Sequence, residues 1–255
     1  MSKIFTIAWK ELKSYFVLPS FYAIALIFIV FSGMFFFNHL AVFYLSKLQP
    51  VPWESIEGRR DLNSMLIQPF FHSLSIIYLL IPVITMKLFA EEKRQRTDEL
   101  LYSCPVSIGE IVLGKYLASV VLLCMLLMLT ATHPVFVWIY GNPDPGPIFT
   151  GYLGLLLVGF AYLSVGIFCS SLTDNQIIAA IVAFGIISFF WMIGAVPYVI
   201  NNTGLADFLS YFSMQEHFHV FTKGLIEIKD VIYFLTFTLF GLFLTYQVLD
   251  SRRWN

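Results

Sequence analysis

Apolar residues in this chain run continuously rather than alternating with polar ones. FYAIALIFIVFSGMFFF (residues 21–37) and VVLLCMLLMLTA (120–131) contain no charged side chain. A helix crossing about 30 Å of hydrocarbon needs about 20 largely apolar residues. Six stretches meet that need, at 20–43, 69–89, 108–139, 149–171, 176–199 and 231–249. Barrel strands would be short and alternate apolar with polar. The pattern predicts an all-α integral membrane protein with six transmembrane helices, the chain 1–255 forming one transmembrane domain.

Shorter elements lie between these spans. On a helix, residues 1–18 place Ile4, Phe5, Ala8, Trp9, Leu12, Tyr15 and Phe16 on one arc and Lys3, Lys10 and Lys13 on the other. Such an amphipathic helix lies along an inner leaflet, with Trp9 at the interface and the lysines toward anionic headgroups. Ile7 sits on the polar arc, a mark against the pattern, and Pro19 suits the first residue of a new helix. Between spans two and three, in segment 91–107, Thr97 is an N-cap candidate with Asp98 and Glu99 in the first turn. Leu100, Leu101 and Tyr102 give that short helix an apolar side before Pro105 ends it. Ser107 and Glu110 form the S-x-x-E spacing of a capping box at the start of the third span.

Charge orients the chain. With six spans, ten of the fifteen Lys and Arg residues fall on the side of the termini. Positive charge marks the cytoplasm, so both termini and segment 91–107 are expected there. The opposite side receives residues 44–68 and an outer loop at 200–230. A hydrophobic fraction of 58%, a charged fraction of 12% and a net charge of −1 exclude a soluble globule and give no sign of nucleic-acid binding. Three cysteines, Cys104, Cys124 and Cys169, are too scattered for a disulfide framework or a metal cluster.

Gly109–Lys115, GEIVLGK, has the spacing of a nucleotide-binding P-loop, but a capped helix begins there and Tyr116 stands where magnesium needs Ser or Thr. Lys115 is therefore expected to snorkel to the headgroups, and Lys93 to be a solvated rim charge. The centres of the six spans hold no Asp, Glu, Lys or Arg, so the ionisable relay of a proton-coupled transporter is missing. No Ser/His, HExxH or paired-Asp constellation supports an intramembrane enzyme. No catalytic residue and no bound cofactor are expected.

The segment EEKRQRTDELLYSCPVSIGEIVLGKYLA (91–118) resembles the signature of ABC-2 type transporter permeases. KGLIEIKDVIYFLTFTLFGLFL (223–244) with its terminal SRRW is similar to the last span of the gliding-motility and copper-enzyme-maturation branch. The resemblance implies a coupling helix between spans two and three that docks on a separate ABC ATPase subunit. It implies that Glu91, Glu92, Arg94, Thr97, Glu99, Leu100, Leu101 and Pro105 form that segment. ATP and magnesium would sit on the partner, and a second copy of the permease or a paralogue would complete the assembly in the lipid bilayer of a bacterial inner membrane. Cargo would be a lipid, glycan or peptide, with a secondary transporter or a force-transducing component as alternatives. Many members carry Gly where this chain has Arg96.

The resemblance also implies an outer gate in 200–230. SMQEHFHVFTKG (213–224) reads as a short helix carrying Glu216, His217 and Phe218 and stopped at Gly224, and Asp230 as the cap of the last span. E-H-x-H places ligands poorly on one helical face, so no metal site is expected. Ala179 with Ala183, and Gly159, Ser164 and Gly166, permit close helix approach within or between subunits.

Overall fold

A computed structural model describes residues 3–48, 62–97, 106–194 and 203–253. All described elements are helical. α1 (Lys3–Val17) is followed after Leu18 by α2 (Pro19–Leu48), whose first residue is a proline that has no helical partner to lose. The next run comprises a π-helical turn (Asn63–Ile67), α3 (Gln68–Ile77), a 3-10 turn (Tyr78–Leu80), α4 (Ile81–Thr85) and α5 (Lys87–Arg94). Pro82 has no N–H for the Tyr78 carbonyl, and the 3-10 turn falls at that point.

α6 (Ile108–Thr130) and α7 (Thr132–Tyr140) form one run broken at Ala131. Pro134 removes the donor that the Thr130 carbonyl would have had. The ring of His133 replaces it, with Nδ1 donating to that oxygen at 2.9 Å. α8 (Pro145–Leu172) starts at the Asp144 cap, whose side chain accepts from Gly146 N–H, and α9 (Gln176–Met192) starts at Asn175, which accepts from Ile177 N–H. α10 (Thr203–Ser210), α11 (Met214–Thr222) and α12 (Ile228–Arg253) complete the order.

Among the described residues five runs are long and apolar enough to cross a membrane: Pro19–Leu48, Asn63–Arg94, Ile108–Tyr140, Pro145–Leu172 and Ile228–Arg252. α9 is apolar but shorter, with 17 residues. It stops at Met192 with a further 3-10 turn over residues 193–194, and the rest of the stretch expected at 176–199 lies outside the described residues.

α8 is the hub. It packs against α12 most extensively and also against α3, α4, α5, α6, α9 and α11. Glycines on different sides admit these neighbours. A Cβ would stand 2.6 Å from Phe71 at Gly151, 2.7 Å from Phe221 at Gly154 and 2.4 Å from Leu123 at Gly159. Ser164 meets Gly241 of α12 in the same way, and Ala179 and Ala183 of α9 are buried. The small residues thus serve contacts within the chain. Helices in lipid gain little from apolar burial and associate through such close packing.

Candidate functional site

The two ends of the bundle differ in chemistry. One end, here the terminal end, brings together α1, α5, the start of α6 and the ends of α8 and α12. α5 emerges there and finishes in a Schellman turn: Thr97 N–H donates to the Glu92 carbonyl at 2.9 Å and Arg96 N–H to the Lys93 carbonyl at 3.1 Å. That turn needs a left-handed residue, and Arg96 supplies it with φ 54°, the one positive φ among the described non-glycine residues. The departure from Gly at this corner thus keeps the left-handed turn. The Thr97 hydroxyl donates to the Glu92 carbonyl. Glu99, Leu100, Leu101 and Pro105, and with them the proposed coupling helix, lie outside the described residues.

Successive residues of α5 hold different partners. Arg94 is exposed, and Glu91 lines a cleft of about 360 Å³ against α1, together with Lys10, Glu11, Ser14, Tyr15 and Glu92. Lys87 Nζ donates to Ser20 Oγ of α2 at 2.9 Å. Lys93 corrects the expectation of a rim charge: it is buried and donates to the Ser171 carbonyl at the end of α8. The unpaired carbonyls of a helix C-terminus attract cations. Arg252 of α12 serves the next one, donating to the Leu172 carbonyl at 3.1 Å. Ser170 Oγ accepts from Phe89 N–H and Ala90 N–H and donates to the Met86 carbonyl, bridging the break between α4 and α5.

Lys115 also departs from expectation. It does not snorkel; its side chain is 1% exposed, and Nζ lies 2.9 Å from Glu11 Oε1 and 2.8 Å from Glu92 Oε1. It donates to the Leu88 carbonyl at 2.6 Å and stands 5.1 Å from the Phe89 ring centroid. The outward route is closed because α1 covers this face of α6: at Gly114 a Cβ would stand 2.8 Å from Ile7. Ile7, the exception on the polar arc, is thus a packing residue. Ala8, Leu12 and Tyr15 are buried, while Phe5, Trp9 and Phe16 stay exposed and Lys13 Nζ lies 5.5 Å from the Trp9 ring. Lys10 is exposed as well, and Lys3 lies within electrostatic reach of Glu110. Tyr15 donates to the Ile84 carbonyl at 2.6 Å; burial, with Glu11 and Glu91 adding to it, pushes its hydroxyl well above the usual range, so it remains a donor.

At the start of α6, Ser107 Oγ accepts from Glu110 N–H and Glu110 Oε2 accepts from Ser107 N–H at 2.8 Å. The P-loop-like Gly109–Lys115 is thus helix throughout, with Glu110 N–H taken by the Ser107 side chain and Ile111 N–H by the Ser107 carbonyl, and it forms no phosphate-cradling loop.

At the opposite end α11 is clamped onto α8. Thr150 Oγ1 donates to the Phe221 carbonyl at 2.6 Å, Phe218 is buried, and Gly224, with φ 89°, closes a second Schellman turn against Pro147. Asp230 is not the cap of the last span. It lies within the first turn of α12, fully buried, with Oδ1 accepting from His217 Nδ1 at 2.6 Å. His217 also faces the Tyr211 carbonyl at 3.1 Å and stacks on Tyr233. Glu216 lines a separate cavity of about 330 Å³ with Ser64, Gln68, His72, Gln215 and His219. Among the described residues no three His, Cys, Asp or Glu side chains converge as metal ligands.

Glu11, Ser170 and the cavity around His72 were not identified from the sequence, and Lys93 and Lys115 were assigned other roles. A signal for the Glu11–Lys115 pair existed: Glu11 shares the helical arc of Ile4, Ala8 and Tyr15, and Lys115 lies within an apolar helix. An acid and a base on apolar faces seek each other.

A search of curated proteins finds no match. The family model for the ABC-2 family transporter protein matches residues 5–249, from α1 through nearly the whole of α12. The chain belongs to the ABC-2 transporter family and is a membrane permease.

Proposed function

We propose that this permease is the membrane subunit of an ATP-driven exporter or flippase of the gliding-motility and copper-enzyme-maturation branch. It works in a bacterial inner membrane with both termini in the cytosol. ATP and magnesium are held by a separate ABC ATPase, and a second copy or a paralogue completes the transmembrane pair; the chain itself binds no cofactor and no nucleic acid. The cargo is a lipid, glycan or hydrophobic peptide. α9 is the sixth crossing, a reading supported by the gathering of α1 and the end of α12 at one end of the bundle, since an even number of passes returns a chain to the side it left.

The observation that carries this reading is the anchoring of α5. Within two turns Lys87 holds α2, Glu92 holds Lys115 of α6, and Lys93 holds the end of α8. A segment fixed to three helices passes a displacement on to them. Residues 98–105 follow it in the chain, and Leu100 and Leu101 are their apolar anchors for the ATPase, with Glu91, Arg94, Thr97 and Glu99 setting register and Glu92 turned inward to Lys115. At the other end α11, with Glu216, His217, Phe218 and Gly224, forms the outer gate.

The test is recovery of the ATPase by wild-type and Leu101→Asp permease at matched membrane expression. Charging such an anchor costs about 2 kcal/mol, roughly thirty-fold in affinity. Equal recovery and equal ATPase activity of the two complexes defeat the docking role.

A further inference from the structure

In the Glu11–Lys115–Glu92 cluster two carboxylates at the wall of the cleft share one buried ammonium. Each carboxylate comes from a different helix, α1 or α5, and the ammonium from a third, α6. Lys115 further holds the Leu88 carbonyl, so α5 is gripped by backbone and side chain together. Glu92 Oε2 is buried without a hydrogen-bond partner.

Fold stability gives little reason for such a group. Buried ion pairs commonly repay only their own desolvation, and the apolar contacts of Ala8, Leu12 and Ile7 already seat α1 on α6. One carboxylate would already pair the buried ammonium, and the second is not needed for that. What the third member supplies is a connection: through Lys115 the two helices α1 and α5 share one ammonium.

We propose that Lys115 is a positioning residue that makes α1 follow α5. When the ATPase displaces α5, Glu92 carries Lys115 with it, and Lys115 carries Glu11 and the amphipathic helix at the membrane surface. The lysine at the P-loop-like spacing thus acts in the nucleotide cycle without touching nucleotide. This inference rests on the coupling role of α5 proposed above.

The experiment uses the full permease in complex with its ATPase, with Cys104, Cys124 and Cys169 replaced by alanine and a reporter cysteine at the exposed position Ser14 of α1. Labelling of Ser14→Cys is measured with and without ATP, beside recovery of the ATPase. The expected result is an ATP-dependent change in labelling that is lost in Glu11→Ala and in Lys115→Met and restored toward wild type in Lys115→Arg. Glu11→Ala is the decisive variant because it takes the α1 carboxylate off Lys115 while the Lys115–Glu92 pair and the bond to the Leu88 carbonyl stay in place. Its thermal stability is expected to match wild type, whereas a merely structural role predicts unchanged labelling in a protein that stays folded. The inference is overturned if Glu11→Ala retains the wild-type response, or if the wild-type complex forms and hydrolyses ATP with no change at residue 14. Failure of the wild-type permease to recover any ATPase instead defeats the coupling role of α5 and, with it, this inference.

Discussion

Gly166 of α8 and Thr85 of α4 are in direct contact, so close that a methyl group on Gly166 would stand 2.0 Å from Thr85 Oγ1. The Thr85 hydroxyl is turned back to the carbonyls of Ile81 and Pro82, so no flexible group can yield. Gly166→Ala is expected to destabilise the protein by about 1–3 kcal/mol through overpacking. Thr85→Ala in the same chain should recover much of that loss, since contacting sites couple. Thermal unfolding in detergent of the two single variants and the double variant checks both statements, and additive losses count against the contact.

The C-terminus of α8 is served by two cations of unequal burial. Lys93 is buried, whereas the Arg252 side chain is 42% exposed. Lys93→Ala should therefore cost about 2 kcal/mol, the range for a hydrogen bond to a charged group. Arg252→Ala should cost no more than about 1 kcal/mol and become harmless in high salt. Unfolding midpoints at low and high ionic strength give the comparison, and a larger effect for Arg252 would reverse the ranking.

Arg96 occupies a left-handed position that glycine adopts freely. Arg96→Gly is expected to stabilise the end of α5 by about 1 kcal/mol, while Arg96→Val, branched at Cβ, destabilises it by at least as much. Proteolysis kinetics near residues 95–97 report the local effect. Faster cutting in Arg96→Gly would mean that the turn forms differently.

His219 gives the distal end a pH dependence. Burial lowers its pKa, Lys223 and His72 lower it further, and Glu216 opposes them. An imidazole whose folded pKa is depressed binds fewer protons folded than unfolded. Its contribution is complete above about 6.5 and is lost as pH falls through that value toward the folded one. Labelling of a Gln215→Cys reporter should accelerate as pH drops from about 7.5 to about 5.5, a range that brackets the ordinary imidazole value. His219→Asn should flatten that profile, and an unchanged profile removes His219 as its origin.

Helix existence and many helix ends were settled by short-range physics, and the sequence alone determined them. Uninterrupted apolar runs leave no alternative to helices in lipid, because each backbone group must be satisfied within its own segment. Ser107 with Glu110, and Gly224 after α11, close their ends through bonds spanning three to five residues. The position of Pro19 likewise needed no distant partner. The charged side chains were another matter. Lys115, Lys93 and Asp230 looked like a snorkelling residue, a rim charge and a helix cap, the roles each would take on an isolated helix. Their actual partners are Glu11 and Glu92, the Ser171 carbonyl, and His217. All but the last lie between 23 and 104 positions away. A long side chain reaches whatever polar group the packing leaves unpaired nearby, and that group is known only once α1 covers α6 and α8 takes its place at the centre. Tertiary structure alone decided these pairs, because desolvation makes the pairing of a buried charge depend on which helices enclose it.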